Sequence, residues 1–107
     1  MNPALKFHSM SYKLEFKKSA LKEWKKLGHT IKEQFKKKLR ERLENPHVPS
    51  AALSGAQNIY KIKLRQPGYR LVYTVDDQTV TVTVITIGKR DRNEIYDVAL
   101  SRLYDKS

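Results

Sequence analysis

The chain predicts an α+β domain: an N-terminal strand and a helical hairpin packed on an antiparallel sheet, closed by a C-terminal helix. Three observations carry this. Apolar residues recur at helical spacing between residues 20 and 44 and alternate with polar ones between 59 and 87, so helices precede strands. Pro67-Gly68 and Asp76-Asp77 divide the alternating stretch into three strands. A second helical stripe, Ile95, Val98, Ala99 and Leu103, follows the last strand. The chain has 107 residues, the length of one domain. Residues 10–107 are read as that domain. Residues 1–9 show no period and are read as a loose extension, without the apolar stretch of a secretory signal.

Each element has its own reason. Tyr12, Leu14 and Phe16 alternate as in a short strand. Leu21, Trp24 and Leu27 repeat at three, and Gly28 is expected to end that helix with a positive φ. Thr30 and Glu33 have the spacing of a capping box, which starts a helix carrying Ile31, Phe35, Leu39 and Leu43 on one face. Asn45-Pro46 stops it, because a residue before proline avoids the α region. Residues 46–59 read as a loop. The strands over 59–65, 69–75 and 79–87 follow, the last changing phase at Val84-Ile85.

Charge narrows the function. Lys and Arg number 22 against 11 Asp and Glu, a net charge of +11, which points to a polyanionic partner. No cysteine is present, so a disulfide frame, a Cys zinc site and a thiol nucleophile are excluded. No apolar run approaches the roughly 18 residues of a membrane span. The run Lys36, Lys37, Lys38 lies on the second helix, either as a nucleic-acid contact or as a solvated face.

Strand parity gathers the remaining cations. Tyr60, Ile62 and Leu64 point one way, and Lys61, Lys63 and Arg65 the other. A two-residue turn at Pro67-Gly68 would set Arg65 opposite Arg70 and Lys63 opposite Val72. A tight turn at Asp76-Asp77 would pair Leu71 with Val82. The apolar face then receives the helical hairpin, and Lys61, Lys63, Arg65 and Arg70 share the other. Like charges across a strand pair repel. Either a bound anion relieves them, or the lysines protect a sheet edge from aggregation. Gly88-Lys89-Arg90-Asp91-Arg92 adds cations at the same sheet end if the third strand neighbours the second. Tyr96, four residues beyond Arg92, leaves the apolar stripe, as a base-stacking ring or a half-buried rim residue.

The chemistry open to such a face is limited. His8, His29 and His47 all lie away from it, and no carboxylates cluster there, so neither a metal-dependent nuclease nor a histidine-type ribonuclease is supported, and no metal or cofactor is expected. RNA supplies its own nucleophile, the 2′-OH. Arginines can stabilise the phosphorane. A lysine held among cations, as Lys63 would be, has its protonated form disfavoured and can accept the 2′ proton.

Residues 20–27 (Ala-Leu-Lys-Glu-Trp-Lys-Lys-Leu), 60–65 (Tyr-Lys-Ile-Lys-Leu-Arg), 68–73 (Gly-Tyr-Arg-Leu-Val-Tyr) and 88–92 (Gly-Lys-Arg-Asp-Arg) resemble, as an ordered set, the RelE toxins of bacterial toxin–antitoxin modules. The likeness runs from about Tyr12 to Arg102. It implies a cytoplasmic, metal-independent endoribonuclease that cuts mRNA in the ribosomal A site and so inhibits translation. By position, Lys61 and Lys63 match the family's paired lysines, with Lys63 as general base. Arg70 matches the arginine that holds the scissile phosphate, Arg90 the one assisting the leaving group, and Tyr96 the tyrosine that orients or stacks on substrate. Lys36, Lys37, Lys38, Arg65, Lys89 and Arg92 are then RNA- or ribosome-binding. Ser54 stands before Gly55 where the family often has arginine. The implied partners are the ribosome and its mRNA, a RelB-like antitoxin that covers or displaces the C-terminal helix, and operator DNA only as the toxin–antitoxin complex; no membrane is involved. The alternatives are a ParE-like toxin that blocks gyrase and a non-catalytic nucleic-acid-binding module.

Overall fold

The computed structural model describes residues 11–66, 68–89 and 91–104, and of Arg92 the backbone. The expected extension over 1–9 lies outside these residues. Strand β1 is Lys13–Phe16, helix α1 Lys18–Lys25 and helix α2 His29–Glu44. A 3₁₀ turn, Pro49–Ala51, interrupts the following loop. Strands β2, Ile59–Lys63, β3, Arg70–Asp76, and β4, Thr81–Gly88, lead to helix α3, Arg92–Tyr104. The sheet order is β1-β4-β3-β2, with β2, β3 and β4 antiparallel and β1 added parallel to β4.

Each face of the sheet has its own core. On one, Ala20, Phe35 and Leu39 from the helical hairpin pack on Ile62, Leu71, Tyr73 and Val84. On the other, Ile95 and Ala99 of α3 pack on Leu53, Ile59, Val72 and Ile85. The phase change at Val84-Ile85 is a β-bulge: Val72 pairs with Thr86 and Tyr73 with Val84, leaving Ile85 as the extra residue. One strand therefore sends Val84 into the first core and Ile85 into the second.

The expected turns and caps need correction. Lys63 pairs with Arg70, and Val75 with Val82, so both hairpin loops are longer than two residues. Leu64 N–H donates to the Tyr69 carbonyl at 2.9 Å, and Gly68, with φ 95°, carries the chain back. In the other loop the Asp76 carboxylate accepts from the Gln78 and Thr79 amides, an Asx turn. The β2–β3 register shifts by two residues and the β3–β4 register by four up to the bulge, both even, so the strand residues keep their expected faces. Thr30 is no N-cap: α2 starts at His29, and the Gly28 carbonyl accepts from the Lys32 amide. Gly28 has φ −69°, so it needs no glycine-specific conformation. In α1 Ala20 is buried and Trp24 half-buried against the same core, joined by the half-buried Leu27 just beyond the helix; Leu21 is exposed.

Val80, at the end of the β3–β4 loop, has φ 53°, a left-handed conformation that a β-branched side chain resists. It is 40% exposed, so little packing depends on it. Val80→Gly is expected to stabilise the fold by about 1 kcal/mol, a rise of about 4 °C in Tm. A thermal melt checks this.

Candidate active site

Alternation along β2 turns Ile59, Lys61 and Lys63 to the α3 side, and the register adds Val72 and Arg70 of β3. Helix α3 covers Ile59 and Val72. The opposed pair Lys63 and Arg70 stands at the strand ends, with Lys63 exposed and Lys61 and Arg70 half-buried. Arg70 also pairs with Gly88 of β4, so Lys89 leaves the sheet at this same corner. Its Nζ lies 6.0 Å from the Tyr69 ring centroid, within cation–π range. Lys61, Lys63, Arg70 and Lys89 are thus brought together. Arg90 lies outside the described residues, and Arg92 opens α3.

Arg65 sits in the loop beyond β2 and is exposed. It lines a second hollow of about 480 Å³ together with Lys63, Lys38 and Gln34. The run on α2 is therefore split. Lys38 faces the end of β2, Lys37 is exposed, and Lys36 pairs with Glu33 at 3.2 Å beside an apolar groove lined by Leu14 and Trp24. Arg42 is not part of a solvated face. It donates to the Lys61 carbonyl at 3.0 Å and to the Tyr73 hydroxyl at 2.9 Å.

Tyr96 packs against the α3-side core at its edge and lines a cavity of about 320 Å³. Its other walls are Lys61, Asn93, Leu100 and the loop residues Leu53, Ser54 and Gly55. The reading of the sequence missed Asn93. Its place three residues before Tyr96, on the same helix face, was the available signal.

Helix α3 is latched at its far end. The Arg102 guanidinium donates two parallel bonds to the Glu23 carboxylate, both 2.9 Å, and one to the Ile85 carbonyl at 2.9 Å. Glu23 also accepts from the Ile87 amide, just past the bulge, at 3.0 Å. The front end is capped by Asp91, whose carboxylate accepts from the Glu94 amide.

Away from the cations, His47 bridges the Tyr60 hydroxyl at 2.9 Å and the Asp77 carboxylate at 2.8 Å, and Tyr12 donates to the same carboxylate at 2.7 Å. A carboxylate only accepts, so His47 Nε2 carries the proton toward Asp77. Bonds from His47, then Tyr12, hold the Asp77 carboxyl below its ordinary 3.8, and the Tyr12 phenol is raised above 10.0 by Asp77. A lowered acid stabilises the fold above its ordinary value and loses that contribution as pH falls through the folded one. Asp77→Asn is therefore expected to be less stable than wild type at pH 6, with the difference closing below about pH 3.8. Urea melts across pH 2–7 check it; a gap independent of pH would refute it. Among the described residues, no three His, Cys, Asp or Glu side chains are grouped to hold a metal, and no helix is long and apolar enough to cross a membrane.

A profile described as the ParE toxin of the type II toxin–antitoxin system parDE matches residues 14–94. Fold and profile together define a type II toxin. The mRNA interferase toxin RelE of Escherichia coli K12 is 54% identical over 94 residues, which span 88% of this chain and 99% of that protein. A free double-arginine mutant of E. coli RelE superposes with a TM-score of 0.80 at 52% identity, covering 87% of this chain and 98% of that one. RelE in the intact E. coli RelBE toxin–antitoxin complex gives 0.74 at 55% identity, covering 77% and 100%. The chain belongs to the RelE family of toxins.

Proposed function

We propose that this protein is an mRNA interferase that cuts mRNA in the ribosomal A site, and that it is the toxin partner of a RelB-like antitoxin in the cytoplasm. The observation that carries the reading is the opposed pair Lys63 and Arg70, with Lys61 beside it and reaching the cavity under Tyr96. Cations gathered at one corner of a sheet favour a bound anion. A scissile phosphate is such an anion.

In the reaction the 2′ oxygen attacks the adjacent phosphorus, and the bond to the 5′ oxygen breaks. The products are a 2′,3′-cyclic phosphate and a 5′-hydroxyl. Lys63 takes the 2′ proton. Arg70 holds the phosphate and the charge that grows on it, for which a planar guanidinium is suited. Arg90, by its place in the motif, assists the leaving oxygen. Tyr96 and Lys61 fix the neighbouring nucleotide, which supplies in-line geometry. Lys38, Arg65 and Lys89 extend the cationic surface toward ribosomal RNA, joined by Lys36, Lys37 and Arg92. The antitoxin acts at α3 by covering or displacing it, and operator DNA is bound only by the complex.

A gyrase-blocking activity, the reading suggested by the ParE profile, is less well supported than mRNA cleavage, given 54% identity across nearly all of an mRNA interferase. Primer extension on a defined mRNA, with the purified toxin and programmed ribosomes, separates them. Cuts within codons that need ribosomes are expected, weakening as salt rises. Intact mRNA with inhibited gyrase would overturn the reading.

A further inference from the structure

Phosphate chemistry does not account for the cavity beside Lys61. Its volume, about 320 Å³, is at the small end of the roughly 300–1,000 Å³ of ligand sites. Leu53 and Leu100 give it an apolar floor, Tyr96 an aromatic wall, and Asn93, Ser54 and Lys61 a polar rim. These residues come from the 52–56 loop, β2 and the first turns of α3, and meet only in the folded chain. Lys61 belongs both to this cavity and to the cationic face. Two residues of strand, about 7 Å, separate it from Lys63, the scale of one nucleotide.

We propose that the cavity receives one unstacked base of the RNA and that Asn93 reads its edge, setting which codons are cut. This rests on the mRNA-cleaving function proposed above. An apolar floor and a tyrosine ring suit the faces of a base, while its edge needs hydrogen-bonding partners. Asn93 offers a donor and an acceptor side by side, and the Ser54 hydroxyl can serve as either. Lys61 donates only, and its charge favours the phosphate side. Asn93 is exposed in the free protein and stands on the first turn of α3, so its amide can rotate to suit a ligand and its replacement leaves the core intact.

The chemistry of the amide makes the proposal specific. A carboxylate in its place accepts at both positions. Guanine presents two adjacent N–H donors on its Watson–Crick edge, whereas adenine sets one donor beside a ring nitrogen that a carboxylate repels. Asn93→Asp is therefore expected to raise cleavage at guanine relative to adenine, at one codon position, by about tenfold. Asn93→Ala should flatten base preference at that same position. The measurement is primer extension on ribosome-bound mRNAs carrying every codon in the A site, for wild type and both variants. Unchanged base preference at all three codon positions overturns the base pocket, including a uniform fall in rate, which mere repulsion of RNA by the new charge would produce. Wild-type protein that leaves every codon intact on active ribosomes overturns the nuclease reading, and the pocket's role with it.

Discussion

Lys63→Ala is expected to lower mRNA cleavage on the ribosome by about 10²- to 10⁴-fold, the usual contribution of a general base. The loss should not come from the fold. Lys63 is the last, exposed residue of β2, and its backbone pairing with Arg70 survives truncation of the side chain. Surface substitutions of this kind stay within about 0.5 kcal/mol, or roughly 2 °C in Tm. The variant should still bind programmed ribosomes, because Lys38, Arg65 and Lys89 remain. Single-turnover cleavage across a pH series then separates a proton acceptor from a cation that only attracts RNA. For a proton acceptor the pH dependence changes shape in Lys63→Ala. A curve of wild-type shape, merely displaced downward, would refute the base role and leave phosphate binding in its place.

Arg102→Ala is expected to destabilise the protein by about 2–3 kcal/mol, less than the 3–5 of a fully buried pair because the two side chains keep some solvent contact. For a chain of this length that is about 8–12 °C in Tm. The side chains are 21% and 23% exposed. Removing the guanidinium strands more than a charge. The Ile85 carbonyl loses a donor, and the Glu23 carboxylate, which also accepts from Thr86 and Ile87, loses the guanidinium fork. Arg102→Lys should recover part of the loss, since an ammonium restores the charge without the fork. A double-mutant cycle with Glu23→Ala measures the coupling. Additive effects would show that the latch contributes nothing beyond its separate contacts.

The strand faces were legible in the sequence because side-chain alternation survives an even shift of register. Lys61, Lys63 and Arg70 therefore fall on one face even though the loop at Gly68 is longer than two residues and the actual partner of Arg70 is Lys63. Loop lengths were not legible. They depend on an Asx turn at Asp76 and a positive φ at Gly68, both of which fit more than one register. Thr30 carried a valid capping signal, yet the helix starts earlier because the Gly28 carbonyl already accepts a helical bond. Arg42, His47 and the Glu23–Arg102 latch were invisible for a different reason. Their partners lie 13 to 79 residues away along the chain, and periodicity carries no information at that range. The cavity belongs to the same class: Ser54 and Asn93 are neighbours only because α3 packs against the 52–56 loop.

The latch and the cavity wall sit on one rigid rod. From Tyr96 to Arg102 is six residues, roughly 9 Å of helix, so whatever opens the clasp at Glu23 also withdraws Tyr96 and Asn93 from the cavity. A ligand that takes the place of α3 need not compete with mRNA for the cations. It lowers the fraction of molecules with a complete pocket, and the apparent affinity for substrate falls by that fraction. Inhibition of this kind depends on how firmly α3 is held, so weakening Arg102 would make the toxin easier to silence without altering any group that touches RNA.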